Sequence, residues 1–230
     1  MRAFELSDGL AVAELDSEER AVMARIVADV AMLLGAENFA DSEGLSRADA
    51  GVGSGAHVRP DDPDDILRRL SGAEDSIAEP DDPAVLRLLP SASRDEADVA
   101  DEFRRLTEGD LRDLKISRLR AMWAQLREVG PQWPIPVAEA MSTAAALTDL
   151  RLVLGARLRL DSDEAADRLH EEIDLATHAL ATDDDNTLGV DPERVWLGML
   201  YQALSWLQES IVQCAIEAAG VAHDEEDQDE

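Results

Sequence analysis

The stretch from Asp191 to Gly220, DPERVWLGMLYQALSWLQESIVQCAIEAAG, constrains the fold more than any other part of the chain. Asp191, Pro192 and Glu193 read as a helix start. The aspartate carboxylate accepts from free backbone N–H groups, while proline's fixed φ and missing donor cost nothing in the first turn. Gly220 is the expected stop. Between them Gln202, Ser205, Glu209, Gln213 and Glu217 recur every three or four positions as a narrow polar stripe, and Trp196, Leu200, Leu204, Trp206, Leu207, Ile211 and Ile216 fill the rest. A helix apolar over most of its circumference is expected to be enclosed by other elements. The pattern predicts a mainly α fold, a single helical bundle domain around a buried C-terminal helix.

Upstream, Phe4, Leu6, Leu10, Val12 and Leu15 alternate with small or polar residues around Asp8-Gly9, a pair suited to positive φ, so residues 3–15 are expected to form a short N-terminal β-hairpin. Asp16 with Glu19 marks a capping box, and Val22, Ile26, Val30, Leu33 and Leu34 follow at helical spacing to Gly35. Residues 1–35 thus hold the hairpin and a first helix. Gly44, Gly51, Gly53 and Gly55 dilute the apolar content of 36–60, which reads as a flexible linker.

Residues 61–222 form the helical part of the same domain. Pro60-Asp61-Asp62-Pro63 returns as Pro80-Asp81-Asp82-Pro83, each copy placing aspartate as N-cap and proline as first helical residue before a short apolar segment, Ile66 to Leu70 and Val85 to Leu89. Val99, Phe103 and Leu106 suggest a brief helix, with Thr107 capping the next, where Leu111, Leu114, Leu119, Met122, Leu126 and Val129 form a stripe closed by Gly130-Pro131. Trp133-Pro134-Ile135-Pro136 must be extended, since each proline excludes the α region for its predecessor. A helix then runs from Val137 to about Leu160 with Met141, Leu147, Leu150, Leu154 and Leu158 inside, and an acidic helix from Glu164 to Ala181 precedes the loop Asp183 to Asn186. Residues 223–230 read as a disordered acidic tail.

Acids outnumber bases 51 to 21, a formal net charge of -30, so contact with a phosphate backbone would oppose like charges and forfeit counterion release. Direct nucleic-acid binding is disfavoured. The lone cysteine, Cys214, allows no intrachain disulfide, and MRAFELSDGL lacks a signal-peptide apolar segment, which points to the cytoplasm. No apolar run reaches the roughly 18 residues of a membrane span.

His170, Asp174 and His178 stand at i, i+4 and i+8, with Glu171 beside them, and are legitimate zinc ligand types. The pattern is HExxD where a zincin needs HExxH, so histidines on an acidic helix face are favoured over a metal site. Asp183 to Gly189 fails as a calcium loop, because a start at Asp184 puts Leu188 and Val195 where oxygen ligands belong. Cys214 among Ile211, Val212, Ala215 and Ile216 reads as an inert core thiol. No GxSxG or glycine-rich phosphate loop occurs, and abundant carboxylates single out no acid–base pair. The chain is expected to be non-enzymatic, with no cofactor. Residues 101–130 carry seven positives, including Lys115, against six acids, the one basic concentration of the chain. Pairing with the acidic helix at 164–181 is favoured over docking of an acidic partner.

Four stretches, LDSEERAVMARIVADVAMLLG, DDPAVLRLLP at 81–90, LTDLRLVLG at 147–155 and YQALSWLQESIV at 201–212, together resemble the small actinobacterial AosR-like family of oxidative-stress transcriptional regulators, long catalogued as a domain of unknown function. The resemblance implies a cytoplasmic helical protein acting in transcriptional control of the stress response by contacting a sigma factor or the polymerase, not by reading DNA. Cysteine-pair sensing within one chain cannot operate with Cys214 alone, so an oxidation switch would be intermolecular or absent. Two further readings are a metal-binding protein or metal-dependent enzyme using His170, Asp174 and His178, and a homodimer in which the hairpin pairs edge to edge across a twofold axis.

Overall fold

Asp8 and Gly9 take φ values of 51° and 77°, the left-handed geometry that a two-residue hairpin turn needs. They join β1 (Arg2–Ser7) to β2 (Leu10–Glu14) in the computed structural model, which describes residues 1–36, 80–93, 96–182 and 191–226. The extended Trp133–Pro136 segment becomes a third strand, β3 (Gln132–Pro136), antiparallel to β2 with Trp133 opposite Ala13 and Ile135 opposite Ala11. Prolines at two of its five positions restrict it to a sheet edge, since proline has no N–H to donate. Trp133 and Ile135 are buried, the Trp133 ring 5.1 Å from that of Phe4. β2 is therefore central. On β1 the Phe4 N–H donates to Ser210 Oγ at 3.0 Å, so the hairpin edge expected to pair with a second copy is partly taken from within.

Helix α1 (Ser17–Leu33) starts on the expected capping box: Asp16 accepts from the Glu18 and Glu19 N–H groups while Glu19 accepts from the Asp16 N–H. It ends at Gly35, φ 87°. Helix α2 (Pro83–Leu88) is capped by Asp82, which accepts from the Ala84 N–H at 2.8 Å and also receives both Arg157 Nη groups at 2.9 and 2.7 Å. The positions of the first PDDP copy that match buried Ala84, Val85 and Leu88 are Asp64, Asp65 and Arg68, so the duplication repeats the PDDP residues but not these three buried apolar positions.

Helix α3 (Ala97–Leu126) is one continuous helix rather than two. Thr107 is no cap: its hydroxyl donates to the Phe103 carbonyl one turn back, at 2.8 Å, and so stays inside the helix. Leu114 and Val129 face solvent instead of joining the stripe of Ile116, Leu119, Met122 and Leu126. Helix α4 (Val137–Arg157) buries Leu147, Leu150 and Leu154, whereas Met141, expected inside, lies on its exposed side.

Helix α5 (Asp163–Thr182) packs on α6 (Pro192–Glu226) through a small satellite cluster of Leu158, Leu169, Ile173, Ala176 and Val195. Gly198 permits the approach: a Cβ there would stand 2.7 Å from Leu169 Cδ1 and 2.9 Å from Ile173 Cδ1. Asp191 caps α6 through the Glu193 N–H at 3.0 Å, as its sequence predicts. The helix runs through Gly220 to Glu226, so the expected stop and the start of the tail at 223 are both displaced. Gly220 is not among the glycines with positive φ, and without that geometry a glycine does not end a helix.

The result is a mainly α domain with a three-stranded sheet, whose main core joins the sheet to α1, α2, α3, α4 and α6. The linker expected at 36–60 falls, apart from buried Ala36, outside the described residues, as do the segment Ile66 to Leu70, the loop 183–186 and residues 227–230.

Candidate protein-docking surface

Helix α6 turns Leu200, Leu204, Leu207, Ile211 and Cys214, spaced four, three, four and three apart, into the core. That face packs on α4 and on β1. The enclosure expected for the whole helix does not occur. Trp196, Met199 and Trp206 remain 49%, 50% and 46% exposed, and Ile216 is exposed as well. Two half-exposed tryptophans within three turns of one helix form an apolar face of the kind that marks interaction sites.

The face has walls. With Met1, Glu18 and Val22 it borders a groove of about 470 Å³ between α6 and the start of α1. Val22 and Trp196 also line a second groove of about 530 Å³ that continues between α1, α4 and α6 past Ile26, Leu33, Val153 and Leu197. Across α1 lies a third, about 850 Å³, floored by Ala24, Ala28, Met32, Trp123, Leu126 and Val129, with the Arg127 guanidinium 4.7 Å over the Trp123 ring. Helix α1 is thus grooved on both flanks.

A polar network fixes the exposed face of α6 in rotation. Arg151 of α4 donates to Gln208 Oε1 at 2.6 Å and lies 5.3 Å over the Tyr201 ring, and Gln208 Nε2 donates to Thr148 Oγ1 at 2.9 Å. Buried Arg20 and half-buried Arg112 and Arg87 hold helix ends. Arg20 donates to the Gln125, Leu126 and Gln132 carbonyls where α3 ends, and Arg112 donates to the Leu34 carbonyl at 2.9 Å beyond α1. Arg87 donates to the Leu160 carbonyl at 3.2 Å and pairs with Asp161.

The basic stretch finds partners other than the acidic helix. Arg104 and Arg112 pair with Glu108 on their own helix, Arg105 with Glu102, and Lys115 with Asp149 of α4, while Glu172 of α5 takes Arg194. Helix α5 packs on α6, away from α3, and this geometry overturns the expected pairing. Burial pushes the Asp149 carboxyl above the usual carboxylate range, with Lys115 and Arg118 partly offsetting it.

The other sequence candidates do not converge. His170, Asp174 and His178 stand exposed along α5, where eight residues of helix separate the two imidazoles by about 12 Å, too far to share one ion. His170 Nδ1 lies 2.9 Å from the Ala166 carbonyl, and among the described residues no three His, Cys, Asp or Glu side chains are placed to hold a metal ion. Cys214 is buried, and burial raises its thiol pKa. No helix of the described residues is long and apolar enough to cross a membrane.

The docking face escaped sequence reasoning because Trp196 and Trp206 have the hydropathy of core residues. The one available signal was excess: apolar residues covered more of α6 than its neighbours have surface to bury. No curated protein and no solved structure matches the chain. The model of the family described as Domain of unknown function (DUF2017) matches residues 1–215, and the chain belongs to that family.

Proposed function

We propose that this protein is a non-enzymatic regulator that acts by protein–protein contact with the transcription machinery, a sigma factor or the polymerase, in an oxidative-stress response of the AosR-like type, in the cytoplasm. The observation that carries the docking half of this reading is the exposed Trp196, Met199 and Trp206 face of α6 with its grooves along α1. Support for the transcriptional half is the resemblance. Its four stretches fall on α1, α2, α4 and α6, which pack together: α4 on α6, α2 on α4, and α1 on α4. With a single thiol in the sequence, and that thiol buried, an oxidative signal would have to arrive through the partner.

Affinity capture of the full chain from its native cells, compared with a Trp196→Ala/Trp206→Ala variant, tests the reading. A polymerase component or sigma factor recovered by the wild type and lost from the variant is the expected outcome; recovery of neither by the wild type sinks it. Stoichiometric metal in protein purified without a tag would revive the alternative built on His170, Asp174 and His178.

A further inference from the structure

We infer that the occupant of the α1–α6 face is a basic amphipathic helix of a partner protein, an inference that rests on the docking reading above and names its chemistry. Shape comes first. Trp196 and Trp206 are ten residues apart on one helix, about 15 Å, which is the span of two to three turns of a docked helix whose apolar side chains recur at i, i+3 or i+4 and i+7. The two grooves that share Val22 and Trp196 give that helix a channel between α1 and α6 to lie in.

Charge then selects the partner. Glu193 stands one turn before Trp196 and Glu209 one turn after Trp206, both exposed, and Glu18 lines the opposite wall. Glu19, also on that wall, is already matched by the Met1 ammonium. At the far end Arg25 lies one turn from Asp29, and Arg157 is held by Asp82, so bases and acids balance there and the net acid sits beside the tryptophans. A helix with an apolar stripe flanked by lysine or arginine complements both properties. A second copy does not: each chain carries -30, and an isologous contact on this face would bring the acidic rim of one copy, Glu18, Glu193 and Glu209, up to the acidic rim of the other. Strand addition is disfavoured by Ser210 on the β1 edge and by the prolines of β3.

The experiment titrates the full chain with two designed helical peptides that share one leucine stripe, one with lysine flanks and one with glutamate flanks, by calorimetry and tryptophan emission. Trp133 is buried, and Trp123 is partly buried on the far flank of α1, so the part of the blue shift that Trp206→Ala removes is the part that reports on the α6 face. We expect the lysine peptide to bind and to shift the emission, the glutamate peptide to bind at least about tenfold more weakly, and Trp206→Ala to lose about tenfold in affinity for the lysine peptide. A surface variant, Glu193→Lys/Glu209→Lys, should narrow the preference between the peptides with only a small drop in the thermal melt, since Glu193 stands in the first turn of α6.

Equal binding of both peptides, binding indifferent to Trp206→Ala and to the charge reversal, or no binding overturns the inference. So does a dimer in sedimentation of the protein alone that Trp206→Ala dissociates, because the occupant is then a second copy. Competition separates this inference from the proposed function. A sigma factor or polymerase component captured through Trp206 but not displaced by the lysine peptide leaves the function standing and removes the basic helix. Peptide binding through Trp206 without such capture does the reverse.

Discussion

Lys115→Met should be the most informative single substitution for the packing of α3 on α4. Lys115 is the only lysine of the chain, and its ammonium pairs with Asp149, whose side chain is 3% exposed. Methionine keeps the length and the apolar stem but leaves the carboxylate buried without its partner, a change that costs about 3 to 5 kcal/mol when the charge is retained. In a domain of this size 1 kcal/mol moves the melting temperature by about 2 to 4 °C, so a loss of about 3 kcal/mol is read as a drop of roughly 6 to 12 °C.

The pH dependence separates this cause from simple loss of packing. Burial already raises the Asp149 carboxyl in the folded protein, and removing Lys115 raises it further. Between the unfolded and folded values the native state then holds a proton that the unfolded state lacks, so stability falls as pH rises through that window, by about 1.4 kcal/mol per unit, and is flat above it. The deficit of Lys115→Met relative to wild type is therefore largest at neutral pH and shrinks on acidification. The remaining carboxylates are common to both proteins and cancel in the difference. Urea titrations followed by circular dichroism from pH 8 to 5 give the curve, and Lys115→Met/Asp149→Leu should recover most of the loss. A deficit below about 1 kcal/mol, or one constant across the range, would refute the buried-pair account.

Gly198→Ala pits about 1 kcal/mol of gained helix propensity against overpacking of Leu169 and Ile173 worth about 1 to 3 kcal/mol; we expect net destabilisation and faster amide exchange confined to α5, and a higher melting temperature would contradict the close approach. Asp82→Ala removes a helix cap and the Arg157 pair and should cost about 1 to 2 kcal/mol at neutral pH. Because Arg157 holds the Asp82 carboxyl below its ordinary value, that stabilisation is present above the unfolded aspartate value and is lost as pH falls through the folded one, so the two melting curves should merge in strong acid. Cys214 should react with a thiol reagent only as fast as the protein opens, and Cys214→Ala should leave any stress response intact; rapid labelling of the native chain would show the thiol to be accessible.

The parts of the fold legible in the sequence are those decided within a few residues. Asp8-Gly9, the Asp16 and Glu19 box, Asp82-Pro83 and Asp191-Pro192 carry their turn or cap in the local chain, and the structure places each where the residues predict it. Thr107 shows the limit of local reading, since a threonine before a helical stretch looks like a cap whether its hydroxyl turns forward to a free N–H or back to a carbonyl. The pairing of β3 with β2 and of Lys115 with Asp149 joins residues far apart in the chain, and neither leaves a mark on its neighbours. The candidate surface was hidden for another reason: burial and display draw on the same residue types, so periodicity finds the apolar faces of α6 without saying which one the fold covers.

That second face also bears on how strongly it can bind. Trp196, Met199 and Trp206 each keep about half of their surface in water, roughly 100 Å² apiece, and covering all three would return about 7.5 kcal/mol at 25 cal/mol per Å². Association itself costs at least about 4 kcal/mol in lost freedom, so these anchors alone support only a weak complex. Tighter binding has to come from the rest of the grooves and from charges placed to meet Glu18, Glu193 and Glu209. A contact divided in this way is set by electrostatics at its margin, and its affinity should fall as salt screens the acidic rim while the apolar anchors are unchanged. A partner held by the tryptophans alone would keep its affinity from low salt to high.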